Sequence, residues 1–495
     1  MKKAGQIAAA MFCLCLAAAA AVPVNAAGAV QADCYWYDKW GDPVTIPDVC
    51  DLTQTVELAA LTDRELKGIT DAFVCADGTI YILDQSGVVL CLDADRRLTG
   101  VLEPHTADGT ADPFSDPEGI FFDEKNGRLY VADTGNQRVV RLRKDGTVEN
   151  SFYRPETLTG TLTQLDYQPV KLAVDNAGRL YVVARNINMG IIVLDKNGRF
   201  IAYRGAPEVT LSLYDQFWRQ FSTKEQLERM ETYIPTEYNN LTIDGDSFLW
   251  GTISAIDDED LIRTIQTNNL GSNVAPIKKL NLAGKDILRR KGLYPPVGDL
   301  DEKSLSSFGD VALADCGIYT VLDTAKGHLF TYDDDGELLY VFGRIGDRHQ
   351  DFKKPVAVAY SGDSLLVFDG GLNAVFCFDP SDYGAQVLRA VRSYYNGDYA
   401  DSYAAWGEVL DYNANLKLAY VGVGKSYLQQ GDYQQAITCF RKAGDKANCS
   451  EAYRKIRDEN VRRFFPWIAG GTGVLIVLFF IAERIRRLRR YLSGQ

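Results

Sequence analysis

Short runs of apolar residues, each ended by polar turn residues, fill the middle of the chain between about residues 69 and 392. In each run an apolar strand leads into a turn with Gly, then into an apolar–Tyr–apolar strand ending near Asp, a second polar turn and another apolar strand. Residues 119–146 show the pattern most clearly, as GIFFDEKNGRLYVADTGNQRVVRLRKDG. Alternation of this kind predicts short antiparallel strands.

The pattern occurs six times, and the fourth copy is degenerate. The points where the second strand of each copy ends are Asp84, Asp133, Ala184, Ile253, Asp323 and Asp369. A repeat of about 40–50 residues with three or four strands predicts the blade of a β-propeller. Because each blade is buried only by its neighbours, the ring must close. We expect a strand near Thr55–Ala60 to supply the closing edge.

The second copy also resembles a known repeat. Residues 116–139, which include DPEGI and LYVADTGNQRV, are similar to an NHL repeat, and residues 369–375 resemble it less closely. The resemblance implies a six-bladed propeller over residues 69–392, which agrees with the six copies. Ser222 or Thr223 could cap a helix within an insertion at 207–236. Phe217 and Trp218 of this insertion could stack on sugar rings or pack against a blade edge, and both readings stay open.

A different period follows the strands. The motifs at 396–399 and 430–433 lie 34 residues apart, and Gly424, Tyr427, Ala436 and Phe440 fall at the spacing of tetratricopeptide repeats. Residues 393–463 therefore resemble a short tetratricopeptide-like helical segment. The resemblance implies a groove that docks a partner, but a stalk holding the propeller off a membrane is the alternative that we favour.

Both ends of the chain point to a membrane. Residues 1–26 resemble a signal peptide, with an uncleaved anchor as the alternative, and 27–68 form an N-terminal segment. Residues 464–482 carry no charge and would span about 28 Å as a helix. The tail at 483–495 has a net charge of +4. Basic flanks stay in the cytoplasm, so we expect a single-pass protein with an extracytoplasmic body.

Composition narrows the chemistry. A net charge of −13 argues against nucleic acid. Three histidines are too few for the zinc-dependent lyases known among NHL propellers. Eight cysteines follow the predicted signal peptide, and eight allow 105 pairings. Cys34–Cys50 is the most plausible bridge, because it would hold the N-terminal segment.

Polar residues at the start of the inner strands would meet at the propeller channel, where we expect the ligand contacts. These candidates are Asp71, Glu118, Lys171, Asn239, Asn240 and Asp310. Gluconolactonases are also six-bladed propellers, and that resemblance implies a hydrolase with Ca²⁺ or Mg²⁺ held by channel oxygens. Lys171 would place a positive charge among such ligands. We therefore expect no cofactor and favour binding over catalysis.

The sequence as a whole predicts a mainly β protein: a six-bladed NHL-type β-propeller, an α-helical tetratricopeptide-like segment and one transmembrane helix. Chains of this kind resemble accessory proteins of the bacterial envelope. We expect an extracytoplasmic binding or scaffold protein whose partner is a protein or glycan, plausibly part of a transport system. The gluconolactonase-like hydrolase is the alternative.

Overall fold

The computed structural model of this protein describes residues 34–38, 41–155, 167–185, 187, 189–205, 238–253, 275–292, 294–296, 299, 306–492 and 494. Within these residues the chain forms six antiparallel sheets followed by helices. The predicted signal peptide and the insertion at 207–236 lie outside the described residues. The fold is the predicted one, mainly β with a helical segment and one long apolar helix.

The N-terminal segment contributes three strands to sheets formed later in the chain. They are β1 (Cys34–Tyr37), β2 (Pro43–Thr45) and β3 (Cys50–Glu57). The first blade has four strands, β4 (Ile69–Val74), β5 (Ile80–Asp84), β6 (Val89–Leu92) and β7 (Leu98–Leu102). The second has β8 (Pro117–Asp123), β9 (Arg128–Asp133), β10 (Arg138–Leu142) and β11 (Val148–Phe152).

The remaining blades repeat this order. Blade 3 comprises β12 (Gln168–Val174), β13 (Leu180–Arg185), β14 (Ile191–Leu194) and β15 (Phe200–Arg204). The described part of blade 4 comprises β16 (Tyr238–Ile243), β17 (Leu249–Ile253) and β18 (Ile277–Leu280). Blade 5 comprises β19 (Phe308–Leu313), β20 (Tyr319–Asp323), β21 (Leu329–Tyr332) and β22 (Leu338–Phe342). Blade 6 comprises β23 (Pro355–Ser361), β24 (Ser364–Asp369) and β25 (Ala374–Pro380).

The ring closes through the N-terminal segment. Each inner strand contacts the inner strands of both neighbouring blades, and β23 of the last blade contacts β4 of the first. Strand β3 pairs antiparallel with β25 and completes blade 6, while β1 and β2 extend blade 5. The closing strand thus exists as expected. It spans Cys50–Glu57 and so begins earlier than the predicted Thr55–Ala60.

Four blades share a buried aspartate at the end of the second strand. Asp84, Asp133, Asp323 and Asp369 are each fully buried. Each carboxylate accepts a hydrogen bond from a backbone N–H of the segment that leads into its own blade. The donors are Gly68 at 2.9 Å, Ser115 at 2.7 Å, Ser307 at 3.0 Å and Lys353 at 2.6 Å. The repeated Asp therefore ties the preceding loop to the blade, and Ala184 and Ile253 cannot do so.

Five helices follow among the described residues. They are α1 (Asp382–Tyr395), α2 (Tyr399–Tyr412), α3 (Lys417–Gln430), α4 (Tyr433–Ala443) and α5 (Lys446–Leu492). The helical segment begins at Asp382 and not at 393 as predicted, because Ser381 directly after β25 caps α1. Its hydroxyl accepts a hydrogen bond from Gly384 N–H at 3.0 Å, which starts the helix at once. The tetratricopeptide assignment stays a prediction.

Close helix packing depends on two glycines of α3, of which Gly424 was predicted and Gly422 was not. A Cβ atom on Gly424 of α3 would lie 2.5 Å from the Phe440 ring of α4. A Cβ on Gly422 would lie 2.2 Å from the Trp406 ring of α2. Only glycine allows these approaches, so the pairing of α3 with both neighbours is fixed by two residues of one helix.

Helices α1 and α3 pack on blades 5 and 6, and one apolar core continues from these blades into α1, α2 and α3. Lys425 of α3 is largely buried and lies 2.9 Å from Asp335 and 3.6 Å from Asp333 in the turn after β21. Arg392 of α1 bonds Asp315 at 2.8 Å and Asp363 at 2.5 Å. The joint between propeller and helices is thus apolar at its centre and ionic at its edges.

Helix α5 continues from the helical segment through the predicted span. It is 47 residues long, and its most apolar window has a mean hydropathy of 2.1 and is entirely exposed. This helix is long and apolar enough to cross a membrane, which is compatible with a single-pass anchor.

Candidate functional site

The predicted channel residues all lie at one repeated irregularity of the inner strands. Each of the six inner strands carries a β-bulge near its start, where one extra residue opposes the second strand. The bulged residues are Thr70, Glu118, Val170, Asn239, Gly309 and Val356. Bulges redirect the side chains beside them and are frequent next to binding sites.

We name the six residues directly after the bulges the channel ring. Its members, in blade order, are Asp71, Gly119, Lys171, Asn240, Asp310 and Ala357. Gly119 is required sterically, because a Cβ there would lie 2.4 Å from the carbonyl oxygen of Val170 in the next blade. The ring therefore combines two small residues with two carboxylates, one ammonium and one amide.

An ion pair crosses the ring between two blades that are not adjacent. The Lys171 ammonium of blade 3 lies 2.6 Å from the Asp71 carboxylate of blade 1, and their side chains are 13% and 7% exposed. The other oxygen of Asp71 accepts a hydrogen bond from Ile120 N–H at 2.9 Å. Through Asp71, the Lys171 ammonium and the Ile120 N–H thus tie blades 1, 2 and 3 together.

Asp310 has the equivalent position in blade 5, which blade 6 separates from blade 1. One carboxylate oxygen accepts hydrogen bonds from the Asn240 amide at 2.5 Å and from Val311 N–H at 2.8 Å. The other accepts from Val358 N–H of blade 6 at 2.7 Å. Asp71 and Asp310 therefore play the same role, each bonding the backbone of the blade that follows.

Burial and mutual attraction set the charges of the ring. Burial raises the pKa of Asp310, although the Lys171 ammonium opposes the rise. Burial alone would lower the pKa of Lys171, but the carboxylates of Asp71 and Asp310 outweigh it and the pKa is raised. The neighbouring carboxylates therefore favour the charged form of Lys171.

Glu118 and Asn239, the two candidates at bulges, lie nearer the solvent. Glu118 accepts a hydrogen bond from Arg185 at 2.6 Å, and the Arg185 side chain is half exposed. Burial raises the pKa of Glu118, an effect that Arg185 partly offsets. Asn239 donates to Phe308 O at 2.7 Å and accepts from Thr252 at 2.6 Å. The Glu118–Arg185 pair is therefore an accessible polar feature of the mouth.

The sequence candidates thus divide into groups. Asp71, Lys171, Asn240 and Asp310 meet in the ring, and Glu118 and Asn239 sit at their bulges, whereas Phe217 and Trp218 lie outside the described residues. Arg185 was missed by sequence reasoning. Arg185 directly follows Ala184, which replaces the buried Asp found at the end of the second strand in four other blades. An alignment of the six copies shows this replacement and so draws attention to the charged residue beside it.

A hard divalent cation does not fit this oxygen set. Asp71 is already paired with an ammonium, and both oxygens of Asp310 accept hydrogen bonds. Ca²⁺ requires six to eight oxygen ligands, and the ring also contains Lys171. Among the described residues no three His, Cys, Asp or Glu side chains are grouped so as to hold a metal. The gluconolactonase-like set therefore yields no mechanism here.

Two of the three histidines, His328 and His105, bond groups outside the ring, as their sequence positions predict. His328 at the start of β21 contacts Tyr35 at 3.1 Å and Asp299 at 3.2 Å. His105 lies in the loop after blade 1 and contacts Thr147 at 3.3 Å. Neither is placed to hold a zinc ion in the channel.

Residues 114–142 match the family model of the NHL repeat. This stretch includes β8, β9 and β10, so blade 2 is the NHL blade of the propeller. No curated protein matches the sequence.

Solved structures match the chain at low similarity. Virginiamycin B lyase from Staphylococcus aureus is 11% identical with a TM-score of 0.40, covering 66% of this chain and 98% of its own. A protein of unknown function from Bacteroides thetaiotaomicron is 14% identical with a TM-score of 0.40, covering 67% and 73%. Kuenenia stuttgartiensis hydrazine synthase is 14% identical with a TM-score of 0.39, covering 64% and 97%. Scores at this level carry no inference about activity.

Proposed function

We propose that this protein is a membrane-anchored, extracytoplasmic binding or scaffold protein of the cell envelope. Its propeller presents the channel mouth to a protein or glycan partner, such as a component of a transport system. Helix α5 anchors it, with the basic tail in the cytoplasm. A propeller with an NHL repeat supports a binding or scaffold role, and the membrane and the partner are our additions.

The observation that carries the proposal is the direction of the channel mouth. The channel ring lies within the first four residues of the inner strands. In blade 6, β23 and β25 run in the same direction, since both are antiparallel to β24. The helical segment begins after the end of β25, and so at the face opposite the mouth. A chain anchored through α5 would therefore direct its channel mouth away from the membrane.

The helical segment supports this role as a stalk. The surface shared by α1 and α3 is covered by blades 5 and 6, with Lys425 bonded to the acidic turn of blade 5. A groove filled by the chain's own propeller is not open to a second peptide there. This favours a stalk over a docking groove, and a stalk with an apolar core holds the propeller at a fixed angle.

Binding at the mouth is tested with the body at 27–463 on a glycan array and by cross-linking in native membranes. Arg185→Glu reverses the exposed charge at the mouth and should reduce binding at least tenfold. Arg143→Glu is the matched control, because Arg143 is half exposed and lies in a turn at the opposite face. Equal binding by both variants would place the interface elsewhere, and absence of any ligand would favour a purely structural protein.

Topology is tested separately in intact cells. A protease added outside should digest the propeller of the full-length chain, while a tag after residue 495 stays protected until the membrane is permeabilised. Protection of the propeller in intact cells would contradict the orientation.

A further inference from the structure

Two cysteines of the N-terminal segment meet at the seam where the propeller closes. Cys34 begins β1, which lies between β22 and β2 in blade 5, and it is opposite Phe342. Cys50 begins β3 on the outer edge of blade 6, opposite Pro380. The two residues therefore belong to different blades, although only fifteen residues separate them along the chain.

The local structure brings the two side chains together. The Cys34 sulfur accepts a hydrogen bond at 3.5 Å from the N–H of Val49, the residue next to Cys50. Cys34 and Cys50 also line the same cavity of about 130 Å³ between the two blades. Burial raises the pKa of Cys50, and the neighbouring Cys34 raises it further.

Both sides of this contact are held in place. The carbonyl of Cys34 accepts from Ile46 N–H at 3.2 Å, and the carbonyl of Val49 accepts from Ser381 N–H at 3.1 Å. A Cβ on Gly384 of α1 would lie 1.9 Å from Val49 O, so the helix presses directly on this strand. Little chain movement is available to separate the two cysteines.

We propose that Cys34 and Cys50 form a disulfide that locks the seam between blades 5 and 6. The two thiols lose two protons and two electrons to a disulfide oxidant, either a thiol oxidase or oxidised glutathione, which becomes a dithiol or two thiols. Such an oxidant acts outside the cytoplasm, so formation in cells rests on the proposed extracytoplasmic location. The bond would fix β1, which pairs with blade 5, relative to β3, which pairs with blade 6.

Trypsin offers a direct test, because Lys39 lies between the two cysteines. Full-length protein from native membranes is denatured in urea with N-ethylmaleimide present, so that every free thiol is alkylated, and is then digested without reductant and examined by mass spectrometry. The expected product is the peptide ending at Lys39 joined to the peptide 40–64, at the summed mass less two hydrogens. Reduction should separate the two. Cys316→Ser is the matched control, since Cys316 lies in a half-buried turn of blade 5 and should leave the linked pair intact.

A second arm separates this proposal from the cellular location. Reduced full-length protein in detergent is treated with oxidised glutathione. Formation of the linked pair in this arm alone upholds the geometry and contradicts the extracytoplasmic location. The oxidised protein should melt about 3–5 °C above the reduced protein, and Cys34→Ser should abolish that difference. Alkylation of both cysteines in both arms, or a bridge from Cys50 to another cysteine, would overturn the proposal.

Discussion

Replacement of Lys171 by Met tests whether the ion pair of the channel ring stabilises the propeller. Met keeps most of the aliphatic length but removes the charge, which leaves Asp71 buried without its cation. Both side chains are less than one sixth exposed. Removal of one partner from a buried pair costs about 3–5 kcal/mol of unfolding free energy. We expect a loss in this range at neutral pH, measured by urea unfolding of the full-length protein in detergent.

Two further measurements isolate the cause. In Lys171→Met/Asp71→Asn both charges are gone, so we expect at least half of the lost free energy to return. The control Lys353→Met removes a surface cation whose partner Asp347 is almost fully exposed, and should cost less than about 0.5 kcal/mol.

The stability loss caused by Lys171→Met should depend on pH, and the pKa of Asp310 sets the direction of that dependence. The pKa of Asp310 is raised by burial, so this group contributes stability at low pH that is lost as pH rises through its pKa in the folded state. Without the Lys171 ammonium that pKa rises further, and the variant keeps the carboxyl protonated to a higher pH. The deficit of Lys171→Met should therefore be largest at neutral pH and shrink toward about pH 5. A loss below about 1 kcal/mol, or one that is equal at both pH values, would refute the reasoning.

Three other substitutions test the blades, the helix packing and the joint. Asp133→Ala removes the buried acceptor that ties the NHL blade to its incoming loop and should cost about 2–4 kcal/mol by urea unfolding, whereas exposed Asp145→Ala should change little. Gly424→Ala should lower the melting temperature of the helical segment, because the new methyl meets a ring of α4 and overpacking costs about 1–3 kcal/mol. Gly407→Ala, in an open part of α2, should instead stabilise it by roughly 0.5–1 kcal/mol. Lys425→Gln should increase proteolytic cleavage between propeller and helices, and an unchanged cleavage rate would show that the apolar core alone holds the joint.

The blades could be predicted from the sequence because the pattern of apolar and turn residues that forms their strands is local. Alternation and turn residues specify short strands, and the Asp at the end of the second strand recurs because one carboxylate satisfies several backbone donors. Because each of the six blades is buried only by its neighbours, the sequence also predicted that the ring closes and that one strand completes the closure. The position of that strand was less well predicted, because β3 pairs with residues more than three hundred positions away and its own sequence has little alternation.

The candidate site was predicted in composition but not in arrangement. Equivalent strand positions identified the residues of the channel ring, because the copies align. Which groups pair depends on the distance across the ring, and only the folded structure shows that Lys171 of blade 3 reaches Asp71 of blade 1. The sequence could treat Lys171 only as a charge among possible metal ligands. In the structure the Lys171 ammonium bonds the Asp71 carboxylate and so joins two blades that are not adjacent.

The sequence by itself determined the number of blades, the change to helices after the strands and the long apolar helix near the C-terminus. Each of these follows from periodicity, which acts between residues close in the chain. The tertiary structure decided the bulges that aim the ring residues, the closure of blade 6 by β3 and the covering of α1 and α3 by the propeller. These depend on contacts between residues far apart in the chain, whose partners are fixed only when the ring closes and the whole core is buried.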